Sequence, residues 1–129
     1  MTYPDIADLD HVQWDMKMFP YVCHGEAWER VDLRKEGDCK DVVLAQIHHL
    51  QEFGWPIEKL QIGICRVEEA ARKPHETHAV LVVDNKWVLD SRQSIVLTLD
   101  EFYLLGYEPI EIQREGGSRT FVEWTWTQT

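Results

Sequence analysis

A chain of 129 residues with 44% hydrophobic residues and six tryptophans can build one hydrophobic core and is unlike a disordered segment. Its 13 basic and 23 acidic residues leave a net charge of −10, which repels nucleic acid and anionic membranes and favours cationic partners or a bound cation. No apolar run approaches membrane-spanning length, which argues against membrane insertion. No repeat or Pro/Gly-rich linker divides the sequence, so residues 1–129 read as a single domain. The N-terminus lacks the basic and apolar regions of a signal peptide, which predicts a cytoplasmic protein. The cysteines, Cys23, Cys39 and Cys65, form no CxxC or Cys/His cluster, so neither a disulfide framework nor a structural zinc is indicated. Their odd number fits a reducing compartment or a thiol kept for chemistry.

In chain order, residues 6–19 predict a helix carrying Val12, Met16 and Phe19 on one face, ended by Pro20. Residues 28–34 are ambiguous. Asp38 is a good N-cap, so a helix is predicted over 39–53, with Val43, Ile47 and Leu50 on one stripe and Gly54 and Pro56 as its stop. Residues 60–67 form a strand with Leu60, Ile62 and Ile64 on one face. After a charged loop, residues 77–83 read as a β-branched strand buried on both sides. The turn 84–86 returns the chain as a strand over 87–90. Thr98-Leu99-Asp100-Glu101 has the form of a capping box opening a short helix that stops at Gly106. A final hairpin joins residues 109–112 to 121–126 across Gly116-Gly117. A helix followed by mostly antiparallel strands predicts an α+β fold.

Cys39 has the setting of a reactive thiol. The first turn of a helix favours a thiolate through its unpaired N–H groups and dipole, and Gly37 permits close approach. Cys65, within a strand, and Cys23, in an irregular stretch, read as packing residues. His78 stands at the start of an apolar strand, where a histidine is more often a tolerated strand-end residue. Asp90 closes the next strand, where an apolar residue would fit the pattern. Acyl transfer on a thiol needs a base within reach and a third group that orients the base, and Cys39, His78 and Asp90 supply those types. His11, His24, His48, His49 and His75 have no spacing that suggests a metal face.

Hairpin register tests the His78–Asp90 pair. A two-residue loop would pair Leu81 with Asp90 and put His78 and Asp90 on opposite faces. A three-residue loop pairs Val83 with Trp87 and Val80 with Asp90, which places both on one face. The same register gathers Ala79, Leu81, Val83, Trp87 and Leu89 on the other face, whereas the alternative would bury a carboxylate among them.

Gly37-Asp38-Cys39-Lys40-Asp41, the helix end Phe53-Gly54-Trp55-Pro56, and the strands Thr77–Val83 and Trp87–Asp90 resemble the bacterial transglutaminase-like cysteine proteinases. That family carries Gly-Asp-Cys-Glu-Asp before its helix, then a His-Ala-Val-Leu strand and a Val-Leu-Asp strand. The resemblance spans Val12 to Asp90 and implies a papain/transglutaminase-like fold, with the cysteine helix packed on an antiparallel sheet. It implies a thiol peptidase acting on a protein or peptide substrate through a Cys39–His78–Asp90 triad, with no cofactor required for the chemistry. It further implies a calcium ion beside the site with Asp41 among its ligands, as in the calcium-dependent periplasmic proteases that release adhesins. A helix-start carboxylate is an equal reading of Asp41. Lys40 stands where the family carries an acidic residue, and Val42 where it carries an aromatic one. The oxyanion hole would use the Cys39 backbone N–H with Trp28, or a residue near Gln13-Trp14, as second donor. The same triad serves acyl transfer to an amine or glutamine deamidation, and a non-catalytic binding module of this fold is the rival outside enzymes. Short members of the family occur in phage genomes, so a phage-associated role fits as well.

Overall fold

In the computed structural model, residues 5–19, 28, 30–35, 37–66 and 77–125 are described. Cys23, His24 and His75, and the end of the last predicted strand at Trp126, lie outside the described residues. Helix α1 spans Ala7–Asp15 and tightens into a 3-10 turn, Met16–Met18. The predicted single helix over 6–19 is therefore two pieces. Phe19 leaves the helix at φ −92° and ψ 136°, the extended conformation that a following proline demands. A short helix α2, Val31–Arg34, lies in the stretch that the sequence left ambiguous, and His49 holds it to the next helix by pairing with Asp32 at 3.1 Å.

Helix α3, Cys39–Glu52, starts where Asp38 predicted. Asp38 and Asp41 cap it reciprocally: the Asp38 side chain accepts from Lys40 N–H at 3.2 Å, and Asp41 Oδ2 accepts from Asp38 N–H at 3.1 Å. The strands are β1 Leu60–Arg66, β2 His78–Val83, β3 Trp87–Leu89, β4 Leu97–Thr98, β5 Glu108–Gln113 and β6 Phe121–Glu123. Helix α4, Leu99–Leu104, follows β4 and opens on the predicted Thr98/Glu101 capping box. The six strands form one antiparallel sheet in the order β4-β3-β2-β1-β5-β6.

The β2–β3 hairpin adopts the three-residue register, pairing Val83 with Trp87, Val82 with Val88 and Leu81 with Leu89. Asp84 and Asn85 make the turn in the left-handed region, at φ 51° and 53°, which short polar side chains tolerate. Every residue of β2 is buried, because both faces of the sheet are covered. Leu60, Ile62, Ala79, Leu81, Val83 and Leu89 meet Cys39, Val43 and Leu50 of α3 and Leu9 and Val12 of α1. On the other face Val80, Val82, Val88, Leu97 and Ile112 pack with Phe102 of α4, Tyr107 and Trp124.

Gly116, in the β5–β6 connection, lies so near the 3-10 turn Ile57–Lys59 that an added Cβ would fall 1.7 Å from the Ile57 carbonyl oxygen. The obstacle is backbone and cannot swing aside. Gly116→Ala is expected to cost at least about 1–3 kcal/mol of stability, the range for overpacking a filled site. A urea midpoint equal to that of the parent would refute this close approach.

Candidate active site

Cys39 is the first residue of α3 and points to the sheet, where its Sγ accepts from the Ala79 N–H at 3.4 Å. His78 is the neighbour of that donor and the first residue of β2. In strand parity it belongs to the opposite face, since its partner on β1 is Cys65 and Cys65 lies in the second core. Being at the strand's end, the imidazole nonetheless reaches both sides: it is hydrogen-bonded to Cys39 and to Asp90. Nε2 lies 2.5 Å from Asp90 Oδ1, which leaves Nδ1 as the atom toward the thiol.

Asp90 follows β3 directly and has no exposed surface. Its burial is compensated by hydrogen bonds on both oxygens. Oδ1 takes His78 Nε2 and the Arg92 N–H at 3.0 Å, and Oδ2 takes the Tyr107 hydroxyl. The Tyr107 hydroxyl in turn accepts from Gln93 Nε2 at 3.0 Å, and its ring packs edge-on against Phe102 at 4.5 Å between centroids. Gln13, buried in α1, donates through Nε2 to the backbone carbonyls of Asp90 and Gln93 at 2.7 and 2.6 Å. Elements from both ends of the chain thereby fix one carboxylate.

This network sets the charges. Burial works against a charged His78, but hydrogen bonds and charge from Asp90 and Cys39 outweigh it and raise the imidazole to about 9. Burial likewise pushes the Cys39 thiol up, yet the His78 hydrogen bond and charge and the Ala79 N–H bring it below its ordinary value, against some opposition from Asp38. Burial also raises Asp90, and His78, Tyr107 and the Arg92 N–H together hold it below the usual carboxylate range. Both shifts run toward a thiolate–imidazolium pair with an ionised carboxylate behind it. Cys65 is the contrast: burial pushes its thiol far up, and it donates to the His78 carbonyl at 3.4 Å as an inert packing residue.

The structure brings Cys39, His78 and Asp90 together, and it treats the other expected residues differently. Asp41 is not a solvated helix-start acid. Its carboxylate is fully buried in the capping box, with Oδ2 so near the chain that a Cβ on Gly37 would come within 2.6 Å. Trp28 is 38% exposed. Gln13, part of the alternative donor, has both amide hydrogens committed to backbone carbonyls. Tyr107 and Gln13 are the positioning groups that sequence reasoning missed. His11, His48 and His49 pair with Asp15, Glu52 and Asp32, and among the described residues no group of three or more His, Cys, Asp or Glu could hold a metal.

The raised His78 value has a signed consequence. The group contributes stability that is fully present below its unfolded value near 6.5 and is lost as pH rises through about 9. Asp90→Asn removes the carboxylate charge, so the His78 titration followed by NMR is expected to fall well below 9 and the alkaline loss of stability to shrink. A titration unchanged by the substitution would show that Asp90 does not set the charge of His78.

Comparison with known proteins places this geometry. The model of the family described as bacterial transglutaminase-like cysteine proteinase BTLCP matches residues 11–125. Among solved structures, calcium-bound LapG of Legionella pneumophila aligns with a TM-score of 0.68 at 20% identity, covering 82% of this chain and 63% of that one. The EGTA-treated form of the same protein aligns at 0.67 and 20%, covering 82% and 61%. This chain thus spans less than two thirds of LapG, and the likeness gives it the transglutaminase-like α+β fold. Comparison with curated proteins found no match. With residues 11–125 of its 129 matched, the chain belongs to the bacterial transglutaminase-like cysteine proteinase family.

Proposed function

We propose that the chain is a thiol peptidase that cleaves a protein or peptide substrate through an acyl-enzyme on Cys39. The observation that carries this reading is the unbroken hydrogen-bonded series from Cys39 through His78 to a buried, ionised Asp90. The Cys39 thiolate attacks the scissile carbonyl carbon, and the carbonyl oxygen takes the negative charge. The backbone N–H of Cys39 stabilises that oxyanion, with the Trp28 indole as second donor. His78 gives its Nδ1 proton to the departing amine as the carbon–nitrogen bond breaks, leaving a thioester. Water then attacks the thioester, His78 takes its proton, and the thiolate leaves with release of the acid. Asp90 keeps Nε2 engaged throughout, so the ring holds Nδ1 toward sulfur.

Calcium is bound by one of the matching LapG structures, and the fit of this chain's residues bears on it. Asp41 Oδ2 already accepts the Asp38 N–H within the buried capping box, so a ligand role for Asp41 would have to coexist with that cap. No step here runs through a metal.

Two measurements test the reading. Iodoacetamide near neutral pH is expected to alkylate Cys39 at least about tenfold faster than a denatured control, while Cys65 reacts only on unfolding. Cys39→Ala should abolish peptide-bond cleavage with the fold retained, and Tyr107→Phe, which frees one Asp90 oxygen, should lower kcat by about tenfold with little change in KM. Full cleavage by purified Cys39→Ala would sink the assignment.

A further inference from the structure

Lysine is an unfavourable residue in the first turn of a helix, where the dipole repels a cation, and a long charged side chain there ordinarily extends into water. Lys40 does neither of the expected things. It is the second residue of α3, yet its ammonium folds back over the N-cap, with Nζ 2.5 Å from Asp38 Oδ2. Its backbone N–H donates to the other oxygen of the same carboxylate at 3.2 Å. One residue therefore holds both oxygens of Asp38. The two side chains are only 16% and 9% exposed, so water and salt screen the pair far less than a surface ion pair.

The reason for this arrangement lies one turn of backbone away. Reciprocal capping draws a second carboxylate, that of Asp41, into the same helix start, and both acids are buried. Two buried negative charges beside a thiol that is itself to be ionised call for a compensating cation. A divalent ion with oxygen ligands is one solution, and calcium-bound LapG shows that a protein of this fold binds one. Here an Asp38 carboxylate oxygen already faces an ammonium.

We propose that the Lys40 ammonium is a built-in counter-ion that does for this chain what a bound divalent cation would do, so that the start of α3 is ordered without calcium. The proposal is independent of the peptidase reading, because its readouts are stability and binding and not turnover.

Melting curves of the intact chain in millimolar calcium and in EGTA, with calorimetric titration of calcium chloride, make the test. The parent is expected to melt at the same temperature in both and to give no binding heat. Lys40→Gln is expected to melt about 4 °C lower in EGTA, and to regain most of that shift once calcium exceeds its Kd about tenfold. Lys40→Arg, which keeps the charge, should behave as the parent. Calcium-dependent melting or a binding heat in the parent would overturn the proposal, as would a Lys40→Gln variant whose melting temperature ignores both calcium and the lost charge. Should Lys40→Gln fail to fold in EGTA, recovery of its circular dichroism on adding calcium supports the proposal. Failure to recover overturns it.

Discussion

A carboxylate with no exposed surface is the constraint around which this molecule is arranged. Asp90 stays ionised in the interior because four elements bring it donors or hold its backbone: the start of β2 through His78, the segment after β3 through the Arg92 N–H, the loop after α4 through Tyr107, and α1 through Gln13. Removing one donor leaves a buried charge short of partners, and such a deficit costs more than the lost bond alone. The aromatic contact of Phe102 with Tyr107 links this polar centre to the second core, so packing there also steadies the hydroxyl.

The sheet is a wall between the Cys39 thiol and the His78 imidazole. Cys39 belongs to the core on one face, while the parity of β2 assigns His78 to the other. They meet because His78 is the first residue of its strand, where the wall ends. The helix start brings the thiol to that edge, and the same end of β2 offers the Ala79 N–H to the sulfur. Strand end and helix start each supply an electrostatic preference for the thiolate, and neither requires a residue to leave its ordinary conformation.

Much of this was legible in the sequence, for reasons that are local. Asp38 as an N-cap located α3, and the Thr98/Glu101 pair located α4, since capping depends on residues within one turn. The hairpin register was legible because only one pairing keeps a carboxylate off the apolar face. What escaped was long-range or too short to show a period. Gln13 lies 77 residues from Asp90 and Tyr107 lies 17 away, and nothing in their own neighbourhoods marks them as partners. Strand β4, Leu97–Thr98, is shorter than one alternation. The end of α1 was overrun because Met16 and Phe19 keep the helical spacing through the 3-10 turn. The burial of Asp41 was hidden because an acid at that position looks the same in sequence whether it binds an ion, faces water or closes a capping box.

The turn at residues 84–86 looks like an ordinary surface feature, with two left-handed residues that short polar side chains accept. Its length, however, sets which side of the sheet every later residue of β3 takes. Deleting one residue there would give the tight hairpin common elsewhere, and the chain could still pair. The carboxylate would then emerge on the helix side of the sheet, with Tyr107 and His78 left behind on the other. For anyone recombining or redesigning these proteins, this surface loop is therefore as intolerant of length change as a buried residue is of substitution, whereas exchange among Asp, Asn and Gly at its two left-handed positions is expected to be absorbed.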